Sequence, residues 1–186
     1  MARHRVCPWW VGYFDLGPIR RLAHDPAAIL APFVRAGMTV LEPGPGMGFF
    51  TLELARLVGP MGRVVAVDVQ PKMIEALRRR ARIAGLIDRI DARAAPATTM
   101  TIEDLEGTID FVLAFAVVHE IPSADTFFAE TARAMKPSAR LLLAEPAGHV
   151  GGGEFDQELA LAAKHGLSLA DRPSIRRCLG AVLQKL

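Results

Sequence analysis

Glycine occupies every second position from 44 to 48, within residues 42–48, which read Glu-Pro-Gly-Pro-Gly-Met-Gly. An apolar run at 38–41 precedes this stretch, and residues 49–58 follow it with apolar side chains at helical spacing. The pattern predicts a strand, a tight loop and a helix. Glycine suits such a loop because a Cβ would forbid the necessary φ angles or hold a ligand away from the backbone. We therefore expect the backbone to contact a ligand here.

A carboxylate ends the second apolar run, where Asp68 follows residues 63–67. In many α/β folds an acidic residue at this strand end, about 20 residues beyond the glycine loop, binds the hydroxyls of a ribose. Asp68 lies 20 residues after Gly48. The loop and the carboxylate together predict a nucleotide-like cofactor.

The loop also discriminates between cofactors. A dinucleotide fingerprint needs a third small residue at position 49, which is Phe49, and a phosphate-binding loop needs a lysine that this loop lacks. Glu42 would repel a pyrophosphate but suits an ammonium group. S-adenosylmethionine (SAM) carries an ammonium and a sulfonium and no phosphate, so the charges favour SAM. An NAD-type oxidoreductase is further disfavoured because the sequence has no Tyr-x-x-x-Lys pair.

Four stretches in consistent order carry a family resemblance: residues 42–48, 67–69, 109–120 and 135–146. They resemble motifs of the class I SAM-dependent methyltransferases, and the chain is most similar to the small "type 11" group, which includes quinone-biosynthesis and arsenite methyltransferases. The resemblance implies an α/β fold with a Rossmann-like, mainly parallel seven-stranded sheet, an antiparallel last strand and helices on both faces. It also implies one domain over residues 1–186, with 1–36 as an N-terminal helical lid.

Element boundaries follow from apolar periodicity, capping residues and glycines. The predicted helices are 26–35, 48–58, 71–84, 124–135 and 154–165. The predicted strands are 38–42, 63–68, 89–94, 110–116 and 140–145, followed by a hairpin of 166–170 and 178–183.

Two departures from the family pattern stand out. Ser138 and Ala139 replace a usual glycine pair, and the third strand lacks the terminal aspartate that contacts adenine in the family. Backbone groups near Ala94 and Ala95 are expected to take over that contact. The arsenite methyltransferases use several cysteines, whereas this sequence has two, so arsenite is a poor candidate acceptor.

The resemblance assigns a role to each part of the cofactor site. The loop glycines should hold the methionine part of SAM with Glu42 near its amino group, and Asp68 should bind the ribose. Val69 should pack on adenine, and Phe115 should lie beside SAM. The full set of expected cofactor-binding residues is Glu42, Gly44, Pro45, Gly46, Gly48, Asp68, Val69, Ala94, Ala95 and Phe115.

Catalytic candidates follow the fourth and fifth strands, because ligands of this fold class lie outside the carboxyl ends of the strands. His119 is the candidate acceptor-side base or orienting group, and His149 is a second catalytic candidate. Glu120 and Glu145 are expected to line the acceptor pocket. A metal site of His119, His149 and Glu145 is the weaker alternative, since no close ligand spacing supports it, and no metal is expected.

Aromatic residues cluster near the N-terminus, where Trp9, Trp10, Tyr13 and Phe14 lie within six positions. They are expected to close over an apolar acceptor or to face the sulfonium. Packing of this segment against the sheet edge is an equally acceptable alternative.

Composition agrees with a cytoplasmic enzyme acting on a small molecule. No apolar run approaches the roughly 18 residues of a membrane span, and no signal-peptide pattern follows the N-terminus. The net charge of +2 is too small to indicate nucleic-acid binding, and the arginines of 78–82 are expected on a solvated helix surface. No nucleic-acid or membrane partner is expected; a monomer and a homodimer both stay open. The expected reaction transfers methyl from SAM to a partly apolar acceptor and leaves S-adenosylhomocysteine. The alternative is a catalytically silent SAM-binding partner or sensor protein.

Overall fold

The computed structural model describes residues 24–186, and its elements are numbered from the first described one. The helices are α1 (Pro26–Leu30), α2 (Thr51–Leu57), α3 (Pro71–Ile83), α4 (Ala124–Ala134) and α5 (Gly152–Lys164). The strands are β1 (Thr39–Pro43), β2 (Arg63–Asp68), β3 (Ile90–Ala94), β4 (Ile109–Phe115), β5 (Met135–Pro146), β6 (Leu167–Asp171) and β7 (Cys178–Lys185).

The seven strands form a mixed sheet in the order β3-β2-β1-β4-β5-β7-β6. The pairs β1/β2, β2/β3 and β4/β5 are parallel, whereas β7 is antiparallel to both β5 and β6. The predicted mainly parallel sheet with an antiparallel last strand is confirmed.

The described residues divide into two compact units, which we call the N-terminal unit (24–95) and the C-terminal unit (96–186). In the N-terminal unit β2 is buried along most of its length, and α3 packs on β2 and β3. In the C-terminal unit most of β4 and residues 141–145 of β5 are buried, and α4 contributes the buried Phe127 and Phe128. Such continuous apolar strands are typical of parallel sheets that are covered on both faces. The assignment of residues 1–186 to one domain stays a prediction.

Helix α1 is shorter than predicted. Asp25 caps its N-terminus, since its Oδ1 accepts a hydrogen bond from the N–H of Ala27 at 3.0 Å. The helix ends at Leu30 rather than near Arg35. Pro32 explains the early end, because proline has no N–H to continue the helical ladder and clashes with the preceding turn.

Strand β5 begins earlier than predicted, at Met135 instead of residue 140, and it contains an irregularity. Its register against β4 shifts between Ile109 and Phe111. Within this segment Ser138 has a φ of 63°, in the left-handed region. This backbone angle costs little only for glycine, which agrees with the glycine that the family resemblance predicts at this position.

We expect Ser138→Gly to stabilise the protein. Glycine removes left-handed strain of about 1–2 kcal/mol from the folded state, whereas the greater freedom of glycine in the unfolded chain costs less than that. The free energy of unfolding should therefore rise by about 1 kcal/mol. For a chain of this size that gain raises Tm by about 2–4 °C. Thermal unfolding measures the change. Ala139→Gly is the control, since this buried neighbour has no positive φ and should lose stability. A Tm for Ser138→Gly at or below that of the wild type would contradict the prediction.

Candidate functional site

The glycine loop follows β1 and depends on left-handed backbone angles. Gly44, Gly46 and Gly48 have φ values of 67°, 54° and 85°. The loop begins with a 2.8 Å hydrogen bond from the N–H of Gly44 to the carbonyl of Val67. A Cβ on Gly48 would lie 2.4 Å from Cδ1 of Leu77, so this glycine also gives α3 room to approach. The loop therefore presents backbone at a place where side chains would be strained or would clash.

Asp68 ends β2 with its carboxylate fixed by the backbone. Its Oδ2 accepts from the N–H of Gly46 at 3.2 Å, and its Oδ1 accepts from the N–H of Gln70 at 2.8 Å. Only 8% of the residue is exposed. Backbone N–H groups thus hold both oxygens of the carboxylate in position. The bond to Gly46 links the strand-end carboxylate directly to the glycine loop.

The other expected cofactor contacts of the N-terminal unit have differing exposure. Glu42 is buried in β1 at 3% exposure, whereas Val69 is 41% exposed. Ala94 is exposed, and Ala95 donates its N–H to the carbonyl of Asp68 at 3.0 Å. Pro45 is buried in the loop, where its carbonyl accepts from Gly48. The N–H of Ala95 is thus already used in a hydrogen bond to the end of β2.

Arginines of α3 have a role that sequence reasoning missed. The guanidinium of Arg80 donates to the carbonyl of Met47, inside the glycine loop. Arg78 donates to the carbonyl of Ala92 in β3 at 2.6 Å. These side chains tie the helix to the loop and to a strand instead of only facing solvent. A basic run gives no sequence signal for such contacts, because the acceptors are backbone groups 14 and 33 residues away.

In the C-terminal unit, a buried carboxylate organises the turn that follows β4. Glu145 of β5 is 0% exposed. Its Oε1 accepts from the N–H groups of Val117 and Val118 at 3.2 and 2.8 Å, and its Oε2 contacts Nδ1 of His119. Ala116 begins the turn with a φ of 55°. This left-handed residue turns the chain so that two amides and an imidazole meet one carboxylate.

Negative charge surrounds His119 and raises its pKa above the ordinary value. The hydrogen bond to Glu145 is the largest cause, and the charges of Glu145, Glu120 and Glu158 add to it, while partial burial opposes the rise. Nε2 lies 3.9 Å from Oε1 of Glu120. The ring of His149 lies 5.6 Å from that of His119, centroid to centroid. The predicted neighbours Glu120, Glu145 and His149 thus lie together around His119.

Glu158, on α5, belongs to the same electrostatic group. Burial raises its pKa to about 7, and the charge of Glu145 adds to the rise. The sequence carries no signal for this residue, because α5 shows no motif and Glu158 is one of several acidic residues on it.

The structure describes only some of the residues named in the remaining predictions. Phe115 is buried at the end of β4. Trp9, Trp10, Tyr13 and Phe14 lie outside the described residues. Across residues 24–186, no three His, Cys, Asp or Glu side chains are grouped so that they could hold a metal ion. Over the same range, every helix is too short or too polar to span a membrane.

We expect Glu145→Ala to lower the free energy of unfolding by about 3 kcal/mol. The amides of Val117 and Val118 and the ring of His119 would lose a buried acceptor, and such losses are costly. Glu145→Gln is the matched variant and should lose less, because its amide oxygen still accepts from both N–H groups. Denaturant unfolding of the two variants measures the difference, and equal losses would contradict the role given to the backbone bonds.

The loss from Glu145→Gln should also depend on pH. Because the folded pKa of His119 lies above 6.5, its stabilising contribution is complete below pH 6.5 and is lost as pH rises through the folded value. The charge of Glu145 also raises the pKa of Glu158, which costs stability once that carboxyl ionises. Both effects make the loss larger at pH 6 than at pH 9. Equal losses at the two pH values would show that His119 and Glu145 form no ion pair.

Comparison with known proteins places the chain in a family. A family model described as a methyltransferase domain matches residues 35–172, more than half of the chain. The ubiquinone/menaquinone biosynthesis C-methyltransferase UbiE of Pasteurella multocida is 31% identical over 112 residues, 60% of this chain and 41% of that protein. UbiE of Escherichia coli O1:K1 has the same identity over 112 residues, 60% of this chain and 44% of its own length. The alignments therefore span less than half of these curated relatives.

The fold of this chain is also similar to that of a solved methyltransferase. A solved SAM-dependent methyltransferase from Aquifex aeolicus superimposes with a TM-score of 0.86 and 24% identity, covering 97% of this chain and 100% of that one. The strand order with its antiparallel β7 agrees with the family match, and so does the glycine loop after β1. The chain belongs to the class I SAM-dependent methyltransferase family.

Proposed function

We propose that this methyltransferase acts on a small, partly apolar acceptor, with His119 as the base that takes the acceptor's proton. The observation that carries the proposal is the buried Glu145 carboxylate, which holds the imidazole of His119 in the turn after β4. An enzyme that only aligns an already deprotonated nucleophile has no need for such a pair. The proposed setting is the cytoplasm, with a small molecule as the acceptor.

The residues of the N-terminal unit fit SAM. The loop of Gly44, Gly46 and Gly48 offers backbone without Cβ atoms, and backbone N–H groups orient the Asp68 carboxylate, a group suited to accept hydrogen bonds from ribose hydroxyls. Glu42 adds negative charge suited to the ammonium group, and Phe49 replaces the small residue that a dinucleotide would need. When bound, SAM supplies a methyl group made electrophilic by its sulfonium.

His119 and Glu145 have different roles in the proposed proton transfer. With Nδ1 engaged by Glu145, the ring is oriented so that Nε2 is the nitrogen that accepts the proton. Glu145 then stabilises the imidazolium that forms, without leaving its hydrogen bonds to the backbone. A positioned base of this kind contributes to catalysis when the acceptor must lose a proton as the methyl group arrives.

The acceptor class is supported by the relatives. The named UbiE proteins are C-methyltransferases of ubiquinone and menaquinone biosynthesis. Methylation at the carbon of a hydroxylated ring requires loss of a proton, which agrees with a histidine–carboxylate pair. We therefore propose a hydroxylated, partly apolar ring compound as the acceptor.

An acceptor screen tests the proposal. Purified protein is incubated with SAM and a panel of hydroxylated ring compounds of graded polarity, beside matched methyl ethers and simple amines, and S-adenosylhomocysteine release is measured. Release with the hydroxylated compounds that rises with pH is expected. Release with amines alone would contradict the proposed acceptor class. Turnover that does not change with pH would contradict the proposed base.

A further inference from the structure

One face of α3 packs against the glycine loop. Met73 and Ala76 form a buried cluster with Met47, which lies within the loop. Beside them, Leu77 approaches Gly48 so closely that a Cβ on the glycine would lie 2.4 Å from Cδ1 of the leucine. Residues three and four positions apart lie on the same side of a helix, so this face of α3 forms a continuous support for the loop.

Arg80 extends this face and adds a polar contact. It lies about two turns beyond Met73, and its guanidinium donates to the carbonyl of Met47. The same peptide group is held at its other end, because the N–H of Gly48 donates to the carbonyl of Pro45 at 2.9 Å. Since a peptide group is planar, these two hydrogen bonds fix its orientation.

The other two glycine amides of the loop are held by β2. The N–H of Gly44 donates to the carbonyl of Val67 at 2.8 Å, and that of Gly46 donates to Oδ2 of Asp68 at 3.2 Å. Strand β2 thus holds the first half of the loop by hydrogen bonds. Arg80 supplies the corresponding hydrogen bond from α3 to the second half.

We infer that Arg80 is a positioning residue for SAM, because its guanidinium holds the glycine loop in the shape that receives the cofactor. The inference rests on the proposed function only in placing SAM at this loop. A loop that is already ordered loses less conformational entropy when a ligand binds. The glycines with left-handed angles need such support, since glycine samples many conformations when nothing holds it.

The test compares two arginines of α3 that each donate to a backbone carbonyl. Arg80→Met removes the donor to the loop, whereas Arg78→Met removes the donor to Ala92 in β3. Methionine is unbranched and has a helix propensity similar to that of arginine, so α3 should persist in both variants. Titration calorimetry with SAM and with S-adenosylhomocysteine measures the affinity of the full-length protein and of each variant.

We expect SAM to bind about tenfold more weakly to Arg80→Met, an effect similar to the loss of one hydrogen bond. The affinity of Arg78→Met should equal that of the wild type. S-adenosylhomocysteine should show the same difference between the variants. Arg80→Lys should recover part of the affinity, since its ammonium group still offers donors. Both methionine variants lose a hydrogen bond and should have a lower Tm, so a merely structural role of Arg80 would change Tm alone.

Amide hydrogen exchange in the absence of SAM gives a second readout. Exchange at Gly46 and Gly48 should be faster in Arg80→Met than in the wild type, because the loop has lost its hydrogen bond to α3. Exchange at the same amides in Arg78→Met should stay at the wild-type rate.

The results separate this inference from the proposed function. A SAM affinity of Arg80→Met equal to that of Arg78→Met overturns the inference, even where the acceptor screen supports the proposed function. Weaker binding with unchanged exchange in the loop also overturns it, because Arg80 would then act without ordering the loop. Weaker binding and faster exchange in Arg80→Met alone support the inference, even where turnover does not depend on His119.

Discussion

His119→Ala is expected to lower kcat by about 10²–10⁴-fold, the range usually contributed by a positioned general base. The affinity for SAM should stay close to that of the wild type, because the expected cofactor contacts of the loop and Asp68 belong to the N-terminal unit. The loss should shrink as pH rises, since a hydroxylated acceptor then ionises without help. Initial rates of S-adenosylhomocysteine release over a pH series measure kcat and its pH dependence. Titration calorimetry measures the affinity for SAM.

His165→Ala is the matched control. His165 also belongs to the C-terminal unit and also contacts a carboxylate, since its Nε2 lies 3.0 Å from Oδ1 of Asp125. That pair lies on the surface, and its loss should leave kcat unchanged. Equal turnover of His119→Ala and His165→Ala would show that His119 is not the base. A loss that stays constant with pH would instead indicate a role in orienting the acceptor.

Asp68→Ala is expected to weaken SAM binding by at least about 100-fold. Each hydrogen bond to a charged acceptor contributes about 1.5–3 kcal/mol, and two ribose hydroxyls would lose their partner. The loop should also lose order, because Oδ2 of Asp68 holds the N–H of Gly46. Titration calorimetry with SAM, S-adenosylhomocysteine and NADH in one buffer measures both the affinity and the selectivity.

Asp88→Ala gives the control for charge. Asp88 is an exposed aspartate of the same unit, in the short turn before β3. Its removal should leave SAM affinity unchanged, and thermal unfolding checks that both variants are folded. Unchanged affinity in Asp68→Ala would show that the ribose is bound elsewhere. Binding of NADH with an affinity similar to that of SAM would contradict the charge argument from Glu42.

Much of the fold is local and was predictable. Strand β2 has the predicted bounds of 63–68, and α3 begins at Pro71 as expected. Ser123 caps α4, accepting from the N–H of Thr126 at 3.2 Å. These features depend on neighbouring residues: apolar periodicity, a capping side chain, or a proline at the first helical position. The errors arose where local signals compete, as in α1, where the apolar pattern continues past Pro32 although the helix ends.

The sequence by itself determined the fold class, the strand–loop–helix at the glycines and the positions of Asp68, His119 and Glu145 at strand ends. Only the tertiary structure decided how these groups are held. The backbone bonds of Asp68, the contact of Glu145 with His119 across 26 residues, and the hydrogen bond of Arg80 to the loop all join parts distant in the chain. Spacing along a chain carries no information on such pairs, because they form only when strand pairing and helix packing bring distant backbone groups together. The raised pKa of Glu158 has the same origin, since burial and neighbouring charge are properties of the folded protein.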